Sequence, residues 1–197
     1  MTTPPVPDQR KIPSTHQTDS LLHLSLEKLF PAERAGKWLV IDPTQSIVTL
    51  LSSSWTSTQP ARIWCHQSFP SDALRVLLAL LRFPDLCSYA YLLAALQVPE
   101  ALLITMLTEA SDLLPTTFHQ LAEKATSLLQ GVTGRRREQH IRHLRRVMTD
   151  VMASTTHLGL TVLSLRAVGY RLQPIIDQEG SLGENTLSCR LDKKRRE

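Results

Sequence analysis

Three places in this 197-residue chain combine residue types and spacing that could do chemistry. Cys65-His66 sets a thiol beside an imidazole, His140 and His143 stand three apart, and arginines crowd residues 135–146. The first two fail on elementary grounds. Neighbours along a strand point to opposite faces, and nothing near Cys65 marks an orienting acid or an oxyanion hole. The histidine pair has no cysteine or carboxylate cluster to complete a coordination shell, and the arginines around it oppose a cation. GVTGRRRE (131–138) contains glycines but lacks the Gly-Lys-Ser/Thr of a phosphate-binding loop, so it reads as a turn. No enzyme, metal or cofactor is expected. The arginines remain. Guanidinium is the best phosphate binder and the commonest bidentate partner of guanine.

The element that must carry them is a helix over 135–152. At 100° per residue, Ile141, Leu144, Met148 and Val151 fall within about 80° of arc and form a core stripe. Arg135, Glu138, Gln139, Arg142, His143, Arg145 and Arg146 fill the opposite side, with one acid among them. His140 falls near the edge of the stripe, as a partly buried hydrogen-bonder. A basic, solvated helix face suits the phosphates and base edges of a DNA major groove. A basic surface helix with no partner is the other reading. Behind it come a short polar connection, ASTTHLG, and a β-hairpin, LTVLSLRAVGYRL (160–172).

Composition sets the bounds. The chain is 42% hydrophobic and 5% aromatic, which suits an aliphatic core, and its net charge is +4 with a pI near 9.2. Acidic partners are favoured, and where the charge lies matters more than its total. Cys65, Cys87 and Cys189 are scattered, with no CxxC and no signal peptide, which reads as free thiols in the cytoplasm. No apolar run reaches the roughly 18–20 residues of a membrane span.

Upstream, residues 1–20 are rich in Pro, Thr, Ser and Gln and read as a disordered tail. Leu21–Phe30 reads as a short amphipathic helix. Trp38–Ile41, Ile47–Leu51 and Ala61–Cys65 read as strands of an antiparallel meander of three or four. A helix starts at Ser71 or Asp72, either of which can cap, and runs on Leu74, Leu77, Leu78 and Leu81 until Phe83-Pro84-Asp85. Ser88 caps a second helix through Leu96. Pro99 opens a third, 100–113, and Pro115 a fourth, 116–130. The third carries Glu100, Glu109 and Asp112 and no base, so phosphate would repel it. Its excess of Leu and Met reads as core packing or as a surface for a second copy or another protein. Residues 177–197 form a polar tail ending in Lys193–Arg196, which adds non-specific DNA affinity at most.

In this order the residues resemble the winged-helix DNA-binding domain of OmpR/PhoB-type transcriptional regulators. LLALLRFPDLCSYAYLLAAL (77–96) is similar to the family's first two helices, REQHIRHLRRVM (137–148) to its recognition helix, and LSLRAVGYRL (163–172) to its wing. The resemblance covers roughly 38–174, less an insertion. It implies an α+β fold: a winged helix-turn-helix with an N-terminal antiparallel β-meander, a helical core and a C-terminal β-hairpin wing. The domain would span 21–176, with helices inserted at about 97–134.

The function implied is sequence-specific binding of double-stranded DNA by a bacterial transcriptional regulator. Helix 135–152 would lie in the major groove, with Arg135, Arg136, Gln139, Arg142, His143, Arg145 and Arg146 as contacts, and Arg166 would approach the minor groove. Tyr170 would pack the hairpin on the core and Gly169 would give the wing its tight turn. Four departures stand out. Ala167 occupies a usual Gly position, and Asp85 replaces a common Gly. The insertion takes the place of the loop by which the family contacts RNA polymerase. Only 37 residues precede the meander, too few for a receiver domain, so phosphorelay control within the chain is not expected. The alternative is a protein-interaction module that works through the inserted helices, 99–130.

Overall fold

The computed structural model describes residues 21–30, 37–52, 62–109, 113–131 and 134–175. The expected tails at 1–20 and 177–197 lie outside the described residues.

Four strands open the fold: β1 (Leu22–Ser25), β2 (Lys37–Asp42), β3 (Ile47–Ser52) and β4 (Arg62–Ser68). They form an antiparallel sheet in sequence order, with Leu22 opposite Ile41 and Ile41 opposite Val48. Leu22, Leu39, Ile41, Val48 and Leu50 form the inward row. The helix expected over Leu21–Phe30 is therefore corrected. Only α1 (Leu26–Leu29) is helical, and pairing with β2 makes the first half a strand. Propensity over so short a stretch is a weak prior, and a partner strand overrides it. The β2–β3 turn follows from Asp42, whose carboxylate accepts from the Thr44 hydroxyl at 2.6 Å and from the amides of Thr44 and Gln45 at 2.9 and 3.2 Å.

Helix α2 (Ser71–Arg82) is the centre of the core, with Ala73, Leu74 and all six residues from Val76 to Leu81 buried. The expected caps do not act as caps. Pro70 is the N-cap residue and no side chain bonds the first turn, because the Ser71 hydroxyl donates to Glu100 and the Asp72 carboxylate faces His143. Ser88 does cap α3 (Tyr89–Ala95), accepting from the Tyr91 amide at 3.2 Å.

Helix α4 (Glu100–Thr108) is shorter than the expected 100–113, and residues 110–112 lie outside the described ones. Helix α5 (Thr116–Gln130) matches its expected span. Helix α4 packs on α2, and α5 packs on α3. The Phe118 ring of α5 is fully buried and meets Tyr91 and Phe83 at centroid distances of 5.8 and 6.4 Å. Leu103, Met106, Ala122 and Ala125 are buried, and Leu102, Ile104, Leu107, Leu121 and Leu129 pack against the core at its edge. The surplus apolar residues of this region thus serve packing; only Leu113 stands well exposed there among the described residues.

Helix α6 (Arg135–His157) runs five residues past its expected end and absorbs most of the connection read as irregular. A second antiparallel sheet follows, in the order β5 (Cys87–Ser88), β7 (Gly169–Pro174), β6 (Leu160–Leu165). The architecture is α+β. Among the described residues no helix is long and apolar enough to cross a membrane.

Candidate nucleic-acid interface

Helix α6 changes character at Leu144. From there on, Leu144, Val147, Met148, Val151, Ser154 and Thr155 are buried against α2 and β6. Of Arg135–His143, none is buried, and only Arg137, Ile141 and His143 are partly covered. At 1.5 Å per residue, Arg135–Arg142 make about 12 Å of helix without a buried side chain. The expected core stripe is corrected at its first member. Ile141 has the right phase, but the body ends before it, whereas Val147 is inside. His140 is exposed, not a partly buried hydrogen-bonder, for the same reason.

The free half is dressed in base. Arg135, Arg136, Gln139 and Arg142 are exposed, and Arg145 and Arg146 continue the surface one turn on. Arg142 donates to Glu138 at 3.2 Å, an i,i+4 pair in which both side chains are about two-thirds exposed or more. Such a pair is worth a few tenths of a kcal/mol and yields readily to a stronger anion. Arg137, absent from the expected contacts, lines an open depression with Gly134, Glu138, Ile141, Arg142 and Arg145. The wheel hides it on the core side. His143 does not point outward with the arginines. Its Nε2 lies 3.1 Å from Asp72 Oδ2, and its side chain is 38% exposed. Asp72 gives no sequence signal of this pairing, because a carboxylate at a helix start reads as a cap.

Of the hairpin behind α6, strand β7 is paired on both edges and β6 is the outer strand. Strand β7 pairs β6 along its length, and β5 pairs its start, Cys87 with Tyr170 and Ser88 with Gly169. The Leu172 amide donates to Pro84 O at 2.9 Å, and the Tyr89 amide to Val168 O at 3.4 Å. Tyr170 is buried, with Tyr89 edge-on to its ring at 5.6 Å. Burial pushes the Tyr170 phenol up; Tyr89 adds to the shift and Arg145 on α6 opposes it.

The tip is closed by the Val168 amide donating to Leu165 O at 3.0 Å, and it presents Arg166 to solvent. The expected role of Gly169 is corrected here. The left-handed residue of the turn is Ala167, with φ +65°. Gly169 lies in β7, where a β-carbon would overlap the carbonyl oxygen of Cys87 and come within 2.9 Å of Ser88 Cα. Glycine is required there by close approach and not by the turn.

The charge is as one-sided as the geometry. Residues 134–175 hold eight arginines and two acids, Glu138 and Asp150, whereas the described residues of 21–131 hold six bases and seven acids. The positive excess of the described fold thus lies on α6 and the hairpin. Cys87, beside the hairpin, is buried, and burial pushes its pKa far up, while His66 beside Cys65 shares its Nδ1 with the Thr49 hydroxyl at 3.1 Å. No protein-family model, curated protein or solved structure matches the chain.

Proposed function

We propose that the chain is a sequence-specific DNA-binding transcriptional regulator of the winged-helix type. Helix α6 enters the major groove with its free half, and Arg166 at the hairpin tip meets the minor groove. One observation carries the reading: Arg135–Arg142, about 12 Å of arginine-clad helix, has no buried side chain, on a fold that is otherwise close to neutral. Base edges in the major groove admit an α-helix. A helix whose first half needs no cover from its own core is suited to enter it.

Two features support the reading. Arg135, Arg136 and Arg137 occupy the first turn of α6, which has no side-chain cap. Cations there oppose the helix dipole at about 0.3–1 kcal/mol each, which an approaching phosphate offsets. The order of sheet, α2, α3, α6 and hairpin is also compatible with the OmpR/PhoB-type order on which the resemblance rests, with α4 and α5 in between. In this reading the added helices are part of the scaffold. The exposed side chains of α5, His119, Glu123 and Lys124 among them, are polar, whereas α4 exposes Thr105 and Thr108 beside Ala101 and half-buried Leu102, Ile104 and Leu107. A partner surface on them is therefore less well supported than DNA binding.

Selection of bound duplexes from a random pool tests the proposal. A recurrent site should emerge, and Arg142→Ala or Arg145→Ala should weaken binding to it by about 1–3 kcal/mol for each arginine that reads a base. A pool that yields no enriched site, or binding indifferent to both substitutions, overturns it.

A further inference from the structure

The free half of α6 needs something other than core burial to hold its direction. Among the described residues, one polar side-chain contact ties Arg135–His143 to another element, the pair of His143 Nε2 with Asp72 Oδ2 at 3.1 Å. The geometry points to Asp72 as a positioning residue for the free half of α6, with helix α4 setting how firmly it holds.

The carboxylate of Asp72 can only accept, so His143 Nε2 carries a proton and donates to it. Arg146 Nη2 lies 3.4 Å from His143 Nδ1 on the other side of the ring. Asp72 thereby orients the His143 ring and, through it, the resting position of Arg146.

The other oxygen of Asp72 leads to α4. Arg75 Nη1 lies 3.5 Å from Asp72 Oδ1, and Arg75 Nε lies 3.6 Å from Glu100 Oε1. Glu100 Oε1 also accepts from the Ser71 hydroxyl at 2.6 Å. Arg75 Nε is buried with no hydrogen-bond partner of its own, so Glu100 supplies its nearest compensation on that side. Arg75 is 29% exposed and Glu100 20%, well below the Arg142–Glu138 pair at 76% and 68%. Partly shielded charges couple more strongly than open ones. If Glu100 loses its charge, Arg75 draws on Asp72 alone and competes with His143 for that carboxylate. The brace on α6 then loosens, although Glu100 touches no residue of α6. The consequence for DNA affinity rests on the function proposed above; the brace itself does not.

The test is a double-mutant cycle on the full chain, read by amide hydrogen exchange over residues 138–143 without DNA, with β2 amides as internal reference. Asp72→Asn and Glu100→Gln should each speed exchange there several-fold and leave β2 unchanged. Glu109→Gln, at the far end of α4, should do neither. Glu100→Gln added to His143→Ala should change little beyond His143→Ala alone, because coupled groups are not additive. Glu100→Gln that matches wild type, or that adds in full to His143→Ala, overturns the inference. So does faster exchange in β2 to the same degree, which would mark general destabilisation. If DNA is bound, Glu100→Gln should weaken it several-fold in wild type and not in His143→Ala. Loss of DNA binding in every variant, wild type included, would count against the proposed function and leave the exchange result to decide the brace.

Discussion

Gly169 and Cys87 meet backbone to backbone: any β-carbon on Gly169 would overlap the Cys87 carbonyl oxygen. Two residues earlier, Ala167 holds φ +65° at the hairpin tip. The two positions therefore respond to opposite substitutions. Gly169→Ala must push β5 away from β7 and should cost about 2–3 kcal/mol or more, in the range of other overpacked sites. Ala167→Gly removes a left-handed strain of about 1–2 kcal/mol against a backbone entropy of about 0.5–1 kcal/mol. It should leave stability unchanged or raise it by up to about 1.5 kcal/mol. Urea midpoints of the two variants check the pair, and reversed signs would refute this view of the wing.

Phe118 makes the inserted region part of the core. Phe118→Ala should destabilise the whole fold by about 3–5 kcal/mol, as for other buried aromatic truncations. Calorimetry should show one cooperative transition at lower temperature. A separate early transition with the rest unmoved would mean that α5 is a detachable module.

Asp42 gives the stability curve an acid limb. Its carboxyl is held below the usual aspartate range, chiefly by the Thr44 hydroxyl; desolvation opposes the shift and the Gln45 and Thr44 amides add to it. The folded pKa is the lower one. The contribution is therefore fully present above the unfolded value and is lost as pH falls through the folded value. The stability difference between wild type and Asp42→Ala should shrink as pH falls from about 5 to about 2. A difference that stays constant over that range would contradict the turn described.

What can be read from the sequence is local. Helix α2 announces itself by a run of leucines at helical spacing between two prolines, and Ser88 by its place before a new apolar period. The β2–β3 turn follows from Asp42-Pro43. What escapes depends on distant partners. Leu21–Phe30 alternates well enough for either period, and β2 decides the matter. Asp72 looks like a cap until His143, 71 positions later, is brought beside it. Periodicity places Ile141 with Leu144 because a helical wheel has no knowledge of where the body ends. The same limit hides Arg137. The wing glycine misleads because a turn and a close approach both ask for glycine, and only the second applies to Gly169.

The salt dependence of binding to the selected duplex shows whether α6 and the hairpin meet DNA. If the free half of α6 and the hairpin tip lie along phosphates, affinity should fall steeply between about 50 and 200 mM salt, with a logarithmic slope near −0.9 per phosphate neutralised. Replacing Arg135, Arg142 and Arg166 together with Ala should flatten that slope by about one for each phosphate that is no longer neutralised. A slope near zero, or one that the triple replacement leaves unchanged, would contradict the assignment of α6 and the hairpin as the DNA-binding surface.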